Sequence, residues 1–476
     1  MITLKDINPD LLKAEYAVRG PIVDKAQELE NQGKKIIYCN IGNPQALKQK
    51  PLTYLRQTLS LLEYPELLNN KEILKSYPRD ITDRAKKILH DLPSGTGAYT
   101  QSAGIPFVRQ AIAEFITRRD GIPADKGHIL LTDGASKGVQ SVLIALLKKR
   151  TDGFLIPIPQ YPIYSASIAL YGGTQIDYYL DEENGWQLNE AILIESIEKA
   201  LKQVINPVAL VVINPGNPTG AVLSYSNIVM IVNFAKKYNL SIMADEVYQE
   251  NIYDETAAFH SFAKVMYKEK INDIPLFSFH SISKGYFGEC GHRGGYMEIR
   301  NVQDDVMAQL IKQQSISLCS NVDGQLATYM MVAPPQKGDE SYELFTKERN
   351  GILNDLKAKA CIIGEGLNNV DGMKAGVPHG AMYAFVKFEL PQTADVSKMT
   401  PEEKLTYESK RDTDYCMALL METGICVVPG SGFGQLPGTL HFRTTILPPR
   451  NEVEELVKKI KEFHKRYVEK MKKEEI

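Results

Sequence analysis

The chain has 476 residues, of which 43% are hydrophobic and 24% charged, a globular balance that excludes a disordered, collagenous or disulfide-stapled protein. Its 55 basic and 58 acidic residues leave a formal net charge of −3. That balance gives no electrostatic reason to expect nucleic acid or an anionic membrane as a partner. The six cysteines are scattered and form no CxxC pair, so neither a disulfide framework nor a zinc site is expected, and a reducing compartment fits. Apolar runs such as VALVVI at 208–213 are far too short to span a bilayer. The opening MITLKDINPD lacks a basic stretch followed by an apolar one. A cytoplasmic protein is expected.

In chain order, the stretch from Asn43 to Pro93 is long, polar and partly helical in pattern, and reads as a surface insertion. HILLTDGAS (128–136) reads as a strand running into a small-residue turn, and KGVQSVLIALLKK (137–149) as an amphipathic helix. GFLIPIPQYPIY (153–164), PVALVVINP (207–215), LSIMADEVY (240–248) and IPLFSFHSISK (274–284) are short apolar runs separated by helix-period segments. Such alternation predicts βαβ units and a largely parallel sheet covered on both faces. Ligands of such sheets bind beyond the C-terminal ends of the strands. AMYAFVKFE (381–389) reads as a further strand, and the irregular 389–412 stretch after it as a second surface insertion. The chain ends in a predicted helix whose Val453, Val457, Ile460, Phe463, Tyr467 and Met471 recur at helical spacing. The basic and acidic residues between them read as its solvated face.

Three pieces at predicted strand ends carry chemistry. NPGNPTG (214–220) forces a tight turn, functional or plain. In ADEVY (244–248), Asp245 is either an N-cap or a buried carboxylate that needs a cation or a protonated ring nitrogen. In SISKGYFGECGHR (281–293), Lys284 is either a surface residue or a buried amine suited to a Schiff base. Arg293, in a Gly-rich loop beside hydroxyls, suits a phosphate dianion. GTGAYT (95–100) lacks the third glycine of a dinucleotide fingerprint. His280, Cys290 and His292 surround the lysine loop, but its lysine and arginine argue against a dication there, so no metal is expected.

Together, the order and spacing of Asn217, Asp245, Tyr248 and Lys284 resemble those of the class I/II aminotransferases, fold type I enzymes that use pyridoxal 5′-phosphate. The resemblance runs from about Ile41 to Arg443 and is strongest to the alanine aminotransferase branch, in SKGYFGECGHRGGYME, LTDGASKG, HFRTTILPP and the long Asn43–Pro93 stretch. It implies an α/β fold with a mainly parallel seven-stranded sheet sandwiched by helices. A large cofactor-binding domain would span 71–333. A smaller α+β domain would be assembled from 1–70 and 334–476. By the same resemblance Lys284 would form the Schiff base with the cofactor and move the proton. Asp245 would pair with the pyridinium nitrogen. Tyr248 and Asn217 would hydrogen-bond the ring's phenolic oxygen, and Tyr161 would stack on the ring. Ala135, Ser136, Ser281 and Arg293 would hold the phosphate. Tyr99, in GAYTQSAG, would reach the phosphate of the other subunit, which implies a homodimer with shared active sites. Gly42 and Arg443 would receive the substrate carboxylate. Lys137, where relatives commonly carry an acidic or small residue, is read as facing solvent.

The resemblance implies ping-pong transamination of L-alanine and 2-oxoglutarate to pyruvate and L-glutamate, the partners being small amino and 2-oxo acids. Three alternatives share these residues: transamination of glyoxylate or aromatic keto acids, a lyase of the aminocyclopropane-carboxylate synthase kind, and a cofactor-sensing regulator. No cation for the distal carboxylate of glutamate can be named from the sequence.

Overall fold

The computed structural model describes residues 1–16 and 20–473. Its strands, in chain order, are β1 (Ile37–Tyr38), β2 (Ile129–Thr132), β3 (Asp152–Ile158), β4 (Thr174–Tyr179), β5 (Asn206–Ile213), β6 (Ser241–Asp245), β7 (Leu276–Ser281), β8 (Gly295–Arg300), β9 (Met373–Lys374), β10 (Tyr383–Phe388), β11 (Ile425–Cys426), β12 (Val428–Pro429) and β13 (His441–Thr445). Seven of them form one sheet in the order β2-β8-β7-β6-β5-β3-β4. The pairs from β7 to β4 are all parallel, and β8 runs against both its neighbours.

The central strands of this sheet are buried on both faces, which is why they read as continuous apolar runs. On β5 the alternation decides the face. Leu210 and Val212 join a cluster with the helices Glu190–Lys202, Tyr225–Lys237 and Phe262–Lys268. Ala209, Val211 and Ile213 join another with the helices Ala135–Leu146, Ile163–Leu170 and Asp304–Ser315. The parallel strands end side by side, with Ile213 in register with Asp245 and Asp245 with Phe279. That row of C-terminal ends is where polar side chains can leave the core.

A second layer draws on both ends of the chain. β9, β10, β13 and β12 make an antiparallel sheet, and β1 pairs with β11. The Thr445 amide donates to the Cys39 carbonyl at 3.0 Å, which joins the two pieces. The helices Tyr342–Asn368, Pro401–Thr423 and Arg450–Lys472 pack on them, with Val453, Leu456, Ile460 and Phe463 buried.

Two expectations are corrected. The Asn43–Pro93 stretch is no surface insertion. Its helix Thr53–Glu63 buries Tyr54, Leu55, Leu59, Leu61 and Leu62 against Ile112, Phe287, Leu326 and Phe345. The second stretch is irregular only in its first half. From Pro401 it is helix, started by a reciprocal pair of hydrogen bonds between Thr400 and Glu403. Within that helix Asp412 is buried and accepts from the Ser431 amide and hydroxyl and from Gln435.

Leu61→Ala is expected to cost about 2–5 kcal/mol of stability. Leu405→Ala, at a side chain 45% exposed, should change it by less than about 0.5 kcal/mol. Urea denaturation followed by circular dichroism reads both.

Candidate active site

A cavity of about 270 Å³ opens at the C-terminal ends of β5, β6 and β7, where the seven-stranded sheet meets the second layer. Gly42, Ala135, Ser136, Tyr161, Asn217, Asp245, Tyr248, Ser281, Lys284, Arg293 and Arg443 all line it. Tyr99 is not brought there within its own chain, and is 78% exposed. Lys137 is exposed, on the solvent side of its helix.

One wall is built for an anion. β2 ends at Thr132, and Gly134 turns the chain with φ +78° into the twelve-residue helix that starts at Ala135. A left-handed turn there favours glycine. A Cβ would also overlap the Arg293 guanidinium. Arg293, itself at φ +52°, donates to the Asp133 and Cys290 carbonyls, each at 2.9 Å, and to Ser136 Oγ at 3.2 Å. The guanidinium is thus pinned beside the first turn of a helix whose amide groups and dipole also attract anions.

The opposite wall holds a carboxylate with unmet demand. Asp245, the last residue of β6, is 5% exposed. Its Oδ2 accepts from the Tyr164 hydroxyl at 2.9 Å. Its Oδ1 is buried with no hydrogen-bond partner among the described residues. Burial pushes its pKa up to about 6, against the Tyr164 bond, the Val247 amide and nearby Lys284. A protonated ring nitrogen would complete this carboxylate. Lys284, just past β7, donates to the Gly42 carbonyl at 2.7 Å, and its Nζ lies 5.9 Å from the centroid of the Tyr248 ring.

Arg443 on β13 is 1% exposed. It donates to Asn217 Oδ1 at 3.2 Å and to the Asn40 carbonyl. Its guanidinium lies 4.3 Å from the Tyr383 ring centroid and 4.5 Å from that of Phe433. No carboxylate pairs with it among the described residues, and its Nε is unmet. A buried cation without a counter-ion is costly, so the site is suited to an anionic ligand.

Tyr383 escaped the sequence reading, although its strand was expected. Its hydroxyl accepts from Tyr248 at 3.4 Å. Burial raises its pKa, but Lys284, Arg443 and the Tyr248 bond lower it, and the net is below the ordinary phenol value. This neighbour also constrains Gly42. A Cβ on Gly42 would overlap the Tyr383 hydroxyl and crowd Lys284 Nζ. Its smallness therefore admits a protein side chain, and its carbonyl holds the lysine. Tyr164 and Tyr16 were also missed. The first supports Asp245, and the second meets the Tyr161 hydroxyl at 2.9 Å.

Residues 68–460 match the family model of aminotransferase class I and II. The chain belongs to that family. It is 48% identical over 488 aligned residues to the probable mitochondrial alanine aminotransferase of Dictyostelium discoideum, which covers 99% of this chain and 90% of that one. It is 47% identical to the mitochondrial alanine aminotransferase 2 of Arabidopsis thaliana, covering 98% and 88%. Among solved structures, the alanine aminotransferase of Pyrococcus furiosus superposes with a TM-score of 0.77 at 26% identity, covering 97% of this chain and all of that one. The aminotransferase uses pyridoxal 5′-phosphate, and the residues fit that group. The pinned Arg293 and the helix start suit its phosphate, the unmet Asp245 oxygen its ring nitrogen, and the Lys284 amine its aldehyde.

Gly42→Ala should displace Tyr383 and Lys284 and lower kcat/KM by about 10²-fold. The far-ultraviolet circular dichroism should be unchanged. Cofactor uptake by the cofactor-free protein should weaken as pH falls through about 6, because Asp245 is then protonated and no longer attracts a ring cation. Absorbance titration with the cofactor at pH 5 and pH 8 reads this. Equal affinity at both would disprove the pairing.

Proposed function

We propose that the aminotransferase interconverts L-alanine and 2-oxoglutarate with pyruvate and L-glutamate. The single observation that carries the proposal is the buried, carboxylate-free Arg443 sharing one small cavity with Lys284 and the unmet oxygen of Asp245. The high identity to named alanine aminotransferases over nearly the whole chain supports the choice of substrates. Pyridoxal 5′-phosphate, when bound, supplies the aldehyde that takes the amino group and a ring that accepts electrons from the substrate's Cα.

The chain's own residues do the rest. Ala135, Ser136, Ser281 and Arg293 hold the phosphate at the helix start. Asp245, kept in place by Tyr164, holds a proton on the ring nitrogen. Tyr161 would pack against the ring, and Tyr248 and Asn217 would hydrogen-bond its oxygen. Arg443 takes the substrate's α-carboxylate by two parallel hydrogen bonds. Its aromatic sandwich leaves the guanidinium few alternative positions. With the cofactor bound, Lys284 would take the substrate's Cα proton and return it for the second substrate. Pyruvate leaves before 2-oxoglutarate enters, so the order is ping-pong.

The proposal includes a homodimer. The exposed Tyr99 supports it, since that side chain lies outside its own chain's cavity and would reach the partner's phosphate site. The six cysteines, none of them disulfide-bonded, suit a reducing compartment, for which we propose the cytoplasm.

Mixing the holoenzyme with L-alanine alone should release one pyruvate per site, and Lys284→Ala should release none. Absence of pyruvate from the native protein, with release of a different 2-oxo acid from another amino acid, would overturn the alanine assignment. Glyoxylate offered in place of 2-oxoglutarate tests the acceptor. Arg443→Lys should raise KM for alanine and for 2-oxoglutarate by about 10–100-fold, because one point charge replaces a two-pronged donor. Steady-state kinetics in both directions reads this.

A further inference from the structure

The sheet face that carries Arg443 continues away from the cavity. Phe385 is opposite Arg443, and Lys387 opposite His441, across β10 and β13, so these four side chains share one face. His441 is 2% exposed, yet both its ring nitrogens have polar partners. Nδ1 lies 3.1 Å from Gln435 Oε1, and Nε2 lies 3.2 Å from Glu182 Oε1.

The direction of these bonds is fixed from the far end. Gln435 Nε2 donates to Asp412 Oδ2 at 2.9 Å, so its oxygen must face the histidine. Burial pushes Asp412 up to about 6, and above that pH it is a carboxylate that can only accept. The ring of His441 is therefore held between the Gln435 oxygen and Glu182.

Glu182 does not belong to the same layer. It lies in the turn that follows β4, at the edge of the seven-stranded sheet. The same turn brings Glu183, which pairs with Lys374 at 2.7 Å, and Trp186, the one tryptophan of the chain. Lys387 is 3.5 Å from Glu182. The Trp186 ring packs edge-on to Phe385, with centroids 5.8 Å apart. The His441 ring is stacked flat on Phe385, with centroids 4.6 Å apart and planes 7° apart. Phe385 meets Phe433 edge-on at 6.0 Å, and Phe433 underlies the Arg443 guanidinium.

We propose that His441 is a positioning residue for the substrate: clamped by Glu182 across the two layers, it holds the Phe385–Phe433 stack that aims Arg443 into the cavity. This rests on the reading of Arg443 as the anchor of the substrate carboxylate. Without the clamp the stack can slide, and Arg443 keeps its charge but loses the orientation that two parallel bonds need. That loss is felt equally by bound substrate and transition state, so it appears in KM and leaves kcat nearly unchanged. Of the cofactor's contacts, Asp245 and Arg293 lie outside this stack.

The test is a double-mutant cycle on the holoenzyme with Glu182→Ala, His441→Leu and the pair, measuring KM and kcat for L-alanine and the cofactor's dissociation constant. Each single variant should raise KM about tenfold, and the pair should raise it no more than either alone, because both break one clamp. Values of kcat should stay within about twofold, and cofactor affinity should be unchanged. An unchanged KM in either single variant, or effects that multiply to about a hundredfold, would overturn the proposal. A merely structural histidine would lower the melting temperature without this split between KM and kcat. If His441→Leu does not fold, Glu182→Ala alone decides by the same two readings. If the native protein turns over another amino acid and not alanine, the substrate assignment fails and the cycle is read with that amino acid.

Discussion

The structure is organised around one expensive object, a guanidinium buried to 1% exposure with no carboxylate beside it among the described residues. Arg443 is tolerated because two aromatic rings sandwich it and two oxygens accept from it. Each of those partners comes from a different part of the chain. Asn40 lies before the seven-stranded sheet begins, Asn217 in the turn after β5, Tyr383 on β10 and Phe433 in the loop before β13. The guanidinium has its full set of partners only where both layers have come together.

The same economy recurs on the other wall. Asp245 is pushed into the core by the apolar run before it, and a single tyrosine satisfies one of its oxygens. A carboxylate, a lysine and two arginines are thereby held around a small cavity with less mutual neutralisation than an ordinary core would contain. Strong, partly unmet electrostatics in a closed space is what a charged cofactor and a charged substrate can exploit. It is also a load on stability, carried by the large apolar clusters on both faces of the central sheet.

Much of this was legible in the sequence. Runs such as VALVVI have no alternation because both faces of β5 are covered, and that pattern alone predicts a parallel sheet. The polar residues directly after such runs, Asp245 and Lys284, then fall at strand ends by geometry. Other features were not legible, for identifiable reasons. Tyr54, Leu55, Thr58, Leu59 and Leu62 do follow helical spacing, but prolines, lysines and asparagines around them made the whole stretch look like surface. Tyr383 sits on an alternating strand, where sequence shows which residues share a face and not what that face meets. The role of Gly42 depends on a hydroxyl contributed from more than three hundred residues away. Glu182 and His441 are 259 residues apart and their pairing has no local signature. Long-range pairings of this kind are set by tertiary packing, which periodicity does not encode.

The rigidity of Arg443 has a stereochemical consequence. An amino acid whose carboxylate is gripped by a fork that cannot turn, and whose nitrogen is directed to the Lys284 side of the cavity, is fixed at two of its four Cα substituents. The remaining two can exchange places only by inverting the molecule's handedness. In one mirror image the hydrogen faces the lysine amine. In the other the side chain takes that position and the hydrogen points away from any base. Enantiomer choice therefore needs no dedicated side-chain pocket in this fold. In the proposed reaction it would follow from Arg443 and Lys284 standing on separate layers, one to hold the carboxylate and the other to take the proton.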